Sequence, residues 1–184
     1  MSTTDSPGDG VAVALLRGVN VGRNRRIKMA DLREALTAAG FGRVRTLLQS
    51  GNVVLDAPAV APEEVERRVH DAVLEFSGFD VAVVVRTAHE LAAVVERSPM
   101  PEPPDGARYL VAFLAGAADD VELPGLPPGS DEQWWRSGRE IYVWCPGGLL
   151  ESPLMEHFGA RRATVPATVR NWNTVTALAR LSAE

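Results

Sequence analysis

The sequence has very little cysteine, few aromatic residues and no long apolar run. Cys145 is the single cysteine among 184 residues, which excludes an internal disulfide and any metal site built from several cysteines. No uninterrupted apolar stretch is long enough to span a bilayer. Residues 1–10 lack the basic start and apolar centre of a secretory signal and are expected to form a short disordered tail. We therefore expect a cytoplasmic protein without membrane segments.

Charge is unevenly distributed along the chain. The whole sequence carries a net charge of −5, which excludes a general attraction for nucleic acid. The segment Arg17–Arg45, however, contains eight basic and two acidic residues, a net charge of +6, and leaves −11 for the remainder. This basic segment either faces an anionic ligand or serves solubility, and the sequence leaves both interpretations open.

Hydrophobic spacing predicts an α+β fold whose first half has the ferredoxin-like order β-α-β-β-α-β. The predicted elements are the strand Val11–Leu16, the helix Met29–Ala39, the strands Val44–Leu48 and Asn52–Leu55, a helix from Pro62 and the strand Val81–Val85. Val11–Leu16 is continuously apolar, as expected of a strand buried on both faces. We expect residues 11–86 to form one subdomain.

The second half, residues 87–184, is predicted to form another α+β subdomain. A capping box at Thr87–Glu90 starts a helix, and Ser137–Gly138 is typical of a tight hairpin. The other predicted elements are the strands Tyr109–Leu114, Gln133–Arg136 and Glu140–Trp144 and the helices Pro153–Phe158 and Thr174–Leu181. No sequence repeat is apparent, but the second half is expected to be a degenerate partner of the first.

The first candidate binding segment is the polar stretch Arg17–Gly22 between the first strand and the first helix. Gly18 and Gly22 allow close approach of a ligand to the backbone, and the Arg17 guanidinium can grip a phosphate or carboxylate with two parallel hydrogen bonds. The spacing matches neither a P-loop nor a Rossmann fingerprint. Alternatively, the glycines shape a turn and Asn20 bonds the backbone.

A second candidate segment is Gln49–Asn52, which is first of all a hairpin connection. In the predicted topology the strand that begins at Asn52 lies beside Val11–Leu16. We therefore expect Gln49, Ser50 and Asn52 to lie near Arg17 and Asn20.

The third candidate segment, Arg170–Asn173, is predicted to open the last helix. Two amides, a guanidinium and an indole ring suit the recognition of a planar polar ligand. Alternatively, Asn171 or Asn173 caps the helix and Trp172 packs beneath it.

Residues suited to catalysis are scarce. The three histidines are scattered along the sequence and form no spacing typical of a metal site. Cys145 follows a predicted strand and is expected to be a buried, inert thiol. We predict no metal site, and the sequence identifies no cofactor.

Several segments of the sequence, including the polar ones, resemble those of one protein family. The stretch LLRGVNVGRNRRIKMADLREALTAAGFGRVRTLLQSGNVVLD, the segments VRTAHEL and GREIYVWCPGG, and RNWNTVTAL near the end resemble the bacterial family known as domain of unknown function 1697. The resemblance implies an α+β fold built on ferredoxin-like units, with no established activity. The recurrent polar residues of the family fall on Arg17, Gly18, Asn20, Gly22, Lys28, Gln49, Ser50, Gly51, Asn52, Arg170, Asn171, Trp172 and Asn173. One departure is Leu47-Leu48, where relatives often carry Tyr-Ile.

Four functions are compatible with these features. The favoured one is binding of a small anionic or nucleotide-like ligand at a site where the clusters of Arg17 and Arg170 meet. The alternatives are nucleic-acid binding through the segment Arg17–Arg45, an enzyme of unknown reaction, and an interaction protein. The apolar strands Val11–Leu16 and Asn52–Leu55 lack the aromatic residues that stack bases in RNA-recognition modules. The expected oligomeric state is a monomer or a homodimer.

Overall fold

The computed structural model describes residues 10–21, 26–58, 60–150, 152–159 and 166–184. The chain divides into two units, one formed by Met1–Ala93 with Leu178–Glu184 and the other by Val94–Ala177. Over the described residues it contains five α-helices and two four-stranded antiparallel sheets. The predicted α+β class is therefore confirmed.

The first unit has the predicted order of elements. These are β1 (Val11–Leu16), α1 (Met29–Ala38), β2 (Gly42–Leu47), β3 (Asn52–Asp56), α2 (Pro62–Ser77), β4 (Val83–Thr87) and the start of α3 (Ala88–Glu96). The strands lie in the order β2-β3-β1-β4, and each neighbouring pair is antiparallel. The finer assignment of this half as ferredoxin-like stays a prediction.

The two helices α1 and α2 cover one face of this sheet. Alternate residues of β1, Ala12, Ala14 and Leu16, pack in one cluster with Leu32 of α1 and Val69 of α2, as the strand period of two and the helix period of 3.6 require. The other face is buried as well. Its β1 residues Val13 and Leu15 have no exposed surface. This confirms the prediction that β1 is buried on both faces.

The second unit contains β5 (Tyr109–Leu114), a single 3-10 turn at Ala118–Asp120, β6 (Gln133–Ser137), β7 (Glu140–Trp144), α4 (Pro153–Gly159), β8 (Ala167–Asn171) and the start of α5 (Trp172–Ser182). Its strands lie in the order β6-β7-β5-β8. Counted along the chain, this order is that of the first sheet. The 3-10 turn stands where the first unit has α1. That the second half is a degenerate partner of the first stays a prediction, which the shared strand order supports.

Three elements, β8, α5 and β4, differ clearly from the sequence-based prediction. Ala167–Asn171 forms a strand that was not predicted, and α5 begins at Trp172 rather than at Thr174. β4 runs over Val83–Thr87 rather than Val81–Val85. Both β4 and β8 have an arginine near their end, and in the sequence this arginine indicates a loop or a helix rather than a strand. Pairing of β4 with β1, and of β8 with β5, keeps the backbone extended.

Candidate functional site

The first polar cluster begins where β1 leaves the sheet. The amide of Leu16 donates to the carbonyl of Gly51 at 2.8 Å, and the amide of Arg17 donates to the carbonyl of Ala82 at 2.8 Å. The half-buried Arg17 therefore follows a strand held on both sides. Gly18 comes next, exposed and with φ at +68°, a conformation that glycine adopts without a steric penalty.

Asn20 ties three chain segments together. Its Nδ2 donates to the carbonyl of Gln49 at 2.6 Å and to that of Ile27 at 2.9 Å, and its Oδ1 accepts from the amide of Ile27 at 2.9 Å. The φ of Asn20 is +57°, in the left-handed region that Asn tolerates better than most residues. The prediction that Asn20 bonds the backbone is confirmed, and so is the expected proximity of Asn20 and Gln49.

The turn between β2 and β3 is built around Asn52. The Asn52 side chain is fully buried, and its Nδ2 donates to the carbonyl of Leu47 at 2.9 Å and to the Ser50 hydroxyl at 3.0 Å. Gly51 has a φ of +74°, and a Cβ there would lie 2.5 Å from Val19 Cγ2. These two hydrogen bonds of Asn52 thus shape the turn, while Gln49 and Ser50 stay exposed.

Helix α1 begins beside the same segments. Its N-cap residue, Lys28, makes no side-chain capping bond, and the first turn carries Asp31. The first amides of a helix have no intrahelical acceptor and carry partial positive charge. Lys28 and Arg26 are both exposed. Two cations and the start of a helix therefore lie next to the residues that Asn20 connects.

Within the described residues, part of the positive charge of the basic segment is engaged inside the protein. Arg43 pairs with Asp56 at 2.8 Å, and Arg45 pairs with Glu184 at 2.8 Å and donates to the carbonyl of Leu181. Arg33 donates to the Thr46 hydroxyl at 2.7 Å. These three guanidiniums have partners within the protein. Gly22, Arg23 and Arg25, which the sequence analysis also placed here, lie outside the described residues.

The second polar cluster lies in the other unit. Arg170 is in β8 and only 9% exposed. Its guanidinium donates to the Thr168 hydroxyl at 2.7 Å and to the carbonyl of Val169 at 2.8 Å. Burial lowers the pKa of Arg170 to about 10, because a low-dielectric surrounding disfavours the charged form. That this cluster and the Arg17 cluster form one site stays a prediction.

The residues after Arg170 start α5. The amide of Thr174 donates to Asn171 Oδ1 at 2.9 Å, so Asn171 caps the helix, as the structural alternative expected. Trp172 is buried, and its ring lies 5.3 Å from that of Tyr109. Asn173 is exposed and its side-chain oxygen lies over Gly106. Ligand binding by these residues stays a prediction.

Arg86 is the residue that the sequence analysis missed. It lies in β4, is 1% exposed, and donates to the carbonyl of Val85 at 2.9 Å. The sequence feature that could have identified Arg86 is the similarity of Val85-Arg86-Thr87 to Val169-Arg170-Asn171. In both places a strand ends in an arginine and a helix-capping residue.

Other chemical groups are few. Burial raises the pKa of Cys145 to about 12, and its thiol donates to the Ser152 hydroxyl. A surface cavity of about 570 Å³ in the second unit is lined by residues of Pro127–Glu132 and by Pro146, Gly147, Gly148, Ser152 and Pro153. Among the described residues, no group of three or more His, Cys, Asp or Glu side chains is arranged to hold a metal ion. Within that same part of the chain, no helix has both the length and the apolar character needed to cross a membrane.

Comparisons with known proteins agree with this geometry. Among solved structures, the chain is similar to the conserved bacterial protein SP0830 from Streptococcus pneumoniae, with 20% sequence identity, a TM-score of 0.68, and coverage of 94% of this chain and 98% of the other. At this identity the likeness shows the fold alone. No curated protein sequence matches the chain. A family model described as protein of unknown function (DUF1697) matches residues 11–142. Because this match spans more than half of the sequence, the chain belongs to the DUF1697 family.

Proposed function

We propose that this protein binds a small anionic ligand, such as a phosphate, carboxylate or nucleotide, at the Asn20 edge. This surface consists of Arg17–Val21, Arg26–Lys28 and Leu48–Ser50. The observation that carries the proposal is the set of three hydrogen bonds from Asn20, which joins these segments beside the start of α1. A preformed polar surface loses little conformational entropy when a ligand binds.

The electrostatics of the edge favour an anion. Arg26 and Lys28 are exposed, and neither forms an ion pair within the described part of the chain. The amides in the first turn of α1 add partial positive charge. Asp31, in the same turn, carries a negative charge, but it is a single group against two cations and the helix amides.

The size of the surface favours a small ligand over a long polyanion. An extended nucleic-acid interface needs several cations along one track. Here Arg43 and Arg45 on β2 are engaged by Asp56 and Glu184. Among the described residues of the basic segment, the exposed cations without an ion pair are Arg26 and Lys28, which suits one or two anionic groups.

Calorimetric titration against inorganic phosphate, citrate and nucleoside mono- and triphosphates tests the proposal. In the variant with Arg26→Gln and Lys28→Gln, affinity is expected to fall about 10-fold or more, because each charge-assisted hydrogen bond is worth roughly 1.5–3 kcal/mol. Arg180→Gln is the matched control, since it removes an exposed cation from the last turn of α5. Absence of binding at millimolar ligand, or equal losses in the control, overturns the proposal.

A second pair of variants tests the role of Asn20. Asn20→Gly accommodates the φ of +57° but removes all three hydrogen bonds. Asn20→Asp keeps an acceptor for the Ile27 amide but places carboxylate oxygens against two carbonyls. Both are expected to weaken binding, and Asn20→Asp more strongly, while circular dichroism stays native. Unchanged affinity in both would remove the Asn20 edge as the site.

The proposal includes the cytoplasmic location and bacterial origin expected from the sequence. Titration with single-stranded and duplex oligonucleotides in a gel-shift assay separates it from the nucleic-acid alternative. Binding of oligonucleotides but not of the small anions would favour that alternative.

A further inference from the structure

We infer that the ligand of the Asn20 edge is an organic anion with an apolar body, such as a nucleotide or an aryl phosphate, rather than an inorganic ion. This inference rests on the proposed function. The basis for an apolar body is a pair of exposed apolar side chains, Val21 and Leu48, which are 71% and 61% exposed. Both belong to the surface that Asn20 holds together.

The backbone conformation of Leu48 makes it unusual. Its φ is +59°, in the left-handed region where Gly, Asn and Asp are the residues expected. An exposed leucine there stabilises neither the turn nor the core. Strained backbone that the surrounding structure imposes is concentrated at functional sites, which points to a role for the Leu48 side chain outside the fold itself.

The Asn20 hydrogen bonds bring Val21 and Leu48 to the same surface. Val21 follows Asn20 directly, and Leu48 precedes Gln49, whose carbonyl accepts from Asn20 Nδ2. Isolated exposed apolar residues are ordinary on protein surfaces, but these two are linked through a single side chain. They therefore flank one hydrogen bond, from Asn20 Nδ2 to the Gln49 carbonyl, and the two side chains together are named the apolar surface here.

Cations border this apolar surface. Lys28 follows Ile27, which exchanges two hydrogen bonds with Asn20, and Arg26 precedes it. An apolar surface beside exposed cations complements a molecule that has an anionic group at one end and an apolar body at the other. Among the ligands allowed by the proposed function, this selects the organic ones.

The test compares inorganic phosphate with phenyl phosphate in the full chain. Phenyl phosphate is expected to bind about 10-fold more tightly, as when roughly 60 Å² of apolar surface leaves water. Leu48→Asn with Val21→Ser is expected to reduce the ratio of the two affinities, phenyl phosphate over inorganic phosphate, to about one. Leu74→Gln, which replaces an exposed leucine of α2, is the control and should preserve it.

The outcomes separate the inference from the proposed function. If neither ligand binds, both fail. If both bind equally, and the double variant changes nothing, the inference fails and the proposed function stands. If the double variant loses binding to vesicles of anionic phospholipid while the protein does not prefer phenyl phosphate over inorganic phosphate, the apolar surface serves a membrane and the inference is overturned.

A stability measurement tests the strain at Leu48 separately. Because Asn suits a left-handed φ, Leu48→Asn alone should raise the thermal midpoint of unfolding, and a lowered midpoint would contradict the strain assigned to Leu48.

Discussion

Arg86 and Arg170 occupy equivalent positions in the two sheets. Each is the next-to-last residue of the fourth strand of its sheet, and each pairs with the third residue of the central strand, Val13 or Val111. Each guanidinium donates to the carbonyl of the preceding residue in its own strand, at 2.9 and 2.8 Å. Both side chains are buried. Two units with little sequence likeness thus repeat one costly feature, a buried cation where a strand meets a helix.

The same register extends to a second pair of buried polar residues. Asn52 opens β3 and pairs with Leu15, whereas Glu140 opens β7 and pairs with Phe113, which are the fifth residues of their central strands. Both are less than 4% exposed. The strand register of the two sheets is therefore the same at these positions, although the side chains there differ.

Replacing either buried arginine is expected to destabilise its unit. Arg86→Ala and Arg170→Ala should each lower the free energy of unfolding by about 2–5 kcal/mol, because each leaves a cavity and unpaired acceptors. Met fills most of the volume, so Arg86→Met and Arg170→Met should cost less. Urea denaturation followed by circular dichroism measures these differences. If Met is as damaging as Ala, hydrogen bonding rather than volume accounts for the loss.

Arg170 also affects how stability depends on pH. Burial places its pKa at about 10 in the folded protein, below the value of 12.5 for an unperturbed arginine. The unfolded chain therefore holds this proton more tightly, so the charge of Arg170 opposes folding at neutral pH and opposes it less as pH rises above about 10. Arg170→Met and Arg170→Ala both remove this cost, so the difference expected between them comes from the volume that Met fills.

Substitutions at Gly51 and Gly18 separate the stability cost of a strained backbone from the cost of steric crowding by a new Cβ. Both have a positive φ, +74° and +68°, but a Cβ at Gly51 would lie 2.5 and 2.8 Å from side-chain atoms of Val19 and Leu16, whereas a Cβ at Gly18 meets nothing within 4 Å. Gly51→Ala should cost about 2–5 kcal/mol from strain plus overpacking, and Gly18→Ala only about 1–2 kcal/mol from strain. Equal losses by urea denaturation would show that crowding at Gly51 is relieved by local movement.

His70 predicts a pH-dependent contribution to stability. Its Nε2 lies 3.0 Å from Asp80 Oδ1 and its Nδ1 lies 3.3 Å from Asp71 Oδ1. Hydrogen bonding to Asp80, and then to Asp71, raises the pKa of His70 above 6.5. A raised pKa stabilises the folded state below pH 6.5, and this contribution is lost as pH rises through the folded-state pKa.

The measurement compares wild-type protein with His70→Gln at pH 6 and pH 8. The variant should be less stable at pH 6 by roughly 0.2–1 kcal/mol, the range for exposed ion pairs, and close to wild type at pH 8. His89→Gln serves as control, because His89 is exposed on α3 and has no ion-pair partner among the described residues. A larger difference at pH 8 than at pH 6 would contradict the sign of the shift.

Cys145 is expected to resist chemical modification in the folded protein. The residue is 1% exposed, burial raises its pKa to about 12, and the neighbouring Glu132 carboxylate adds to the rise against the opposing effect of the Ser152 hydroxyl. Since the thiolate is the reactive form, iodoacetamide at pH 8 should label native protein far more slowly than urea-unfolded protein. Comparable labelling rates would mean that this part of the second unit opens readily.

Much of the fold was predictable because its core elements follow simple periodicities. The continuous apolar run of β1, the spacing of Leu32 and Leu36 in α1, and the proline start of α2 each identify an element by local chemistry. Strand β8 was not predictable in this way, since Ala167–Asn171 is short and ends in Arg and Asn. Pairing with β5 over its whole length keeps it extended, which is a non-local effect.

The site was predictable in its parts but not in the role of each part. Sequence alone identified Asn20, Gln49, Asn52 and Asn171 as polar residues next to turns or helix starts. It could not tell that Asn52 is buried and bonded within its turn, or that Asn171 is the helix cap, because an amide side chain serves a ligand and a backbone equally well.

By itself, the sequence determined the α+β class, most of the elements, the family and the uneven distribution of charge, since these depend on composition and on spacing along the chain. Only the tertiary structure decided which polar groups are buried, which arginines have partners, and that Asn20 bonds the backbone of both Ile27 and Gln49. Burial and hydrogen bonding depend on residues that lie far apart in sequence. The equivalence of Arg86 and Arg170 became visible for the same reason, because strand register, and not sequence similarity, relates the two halves.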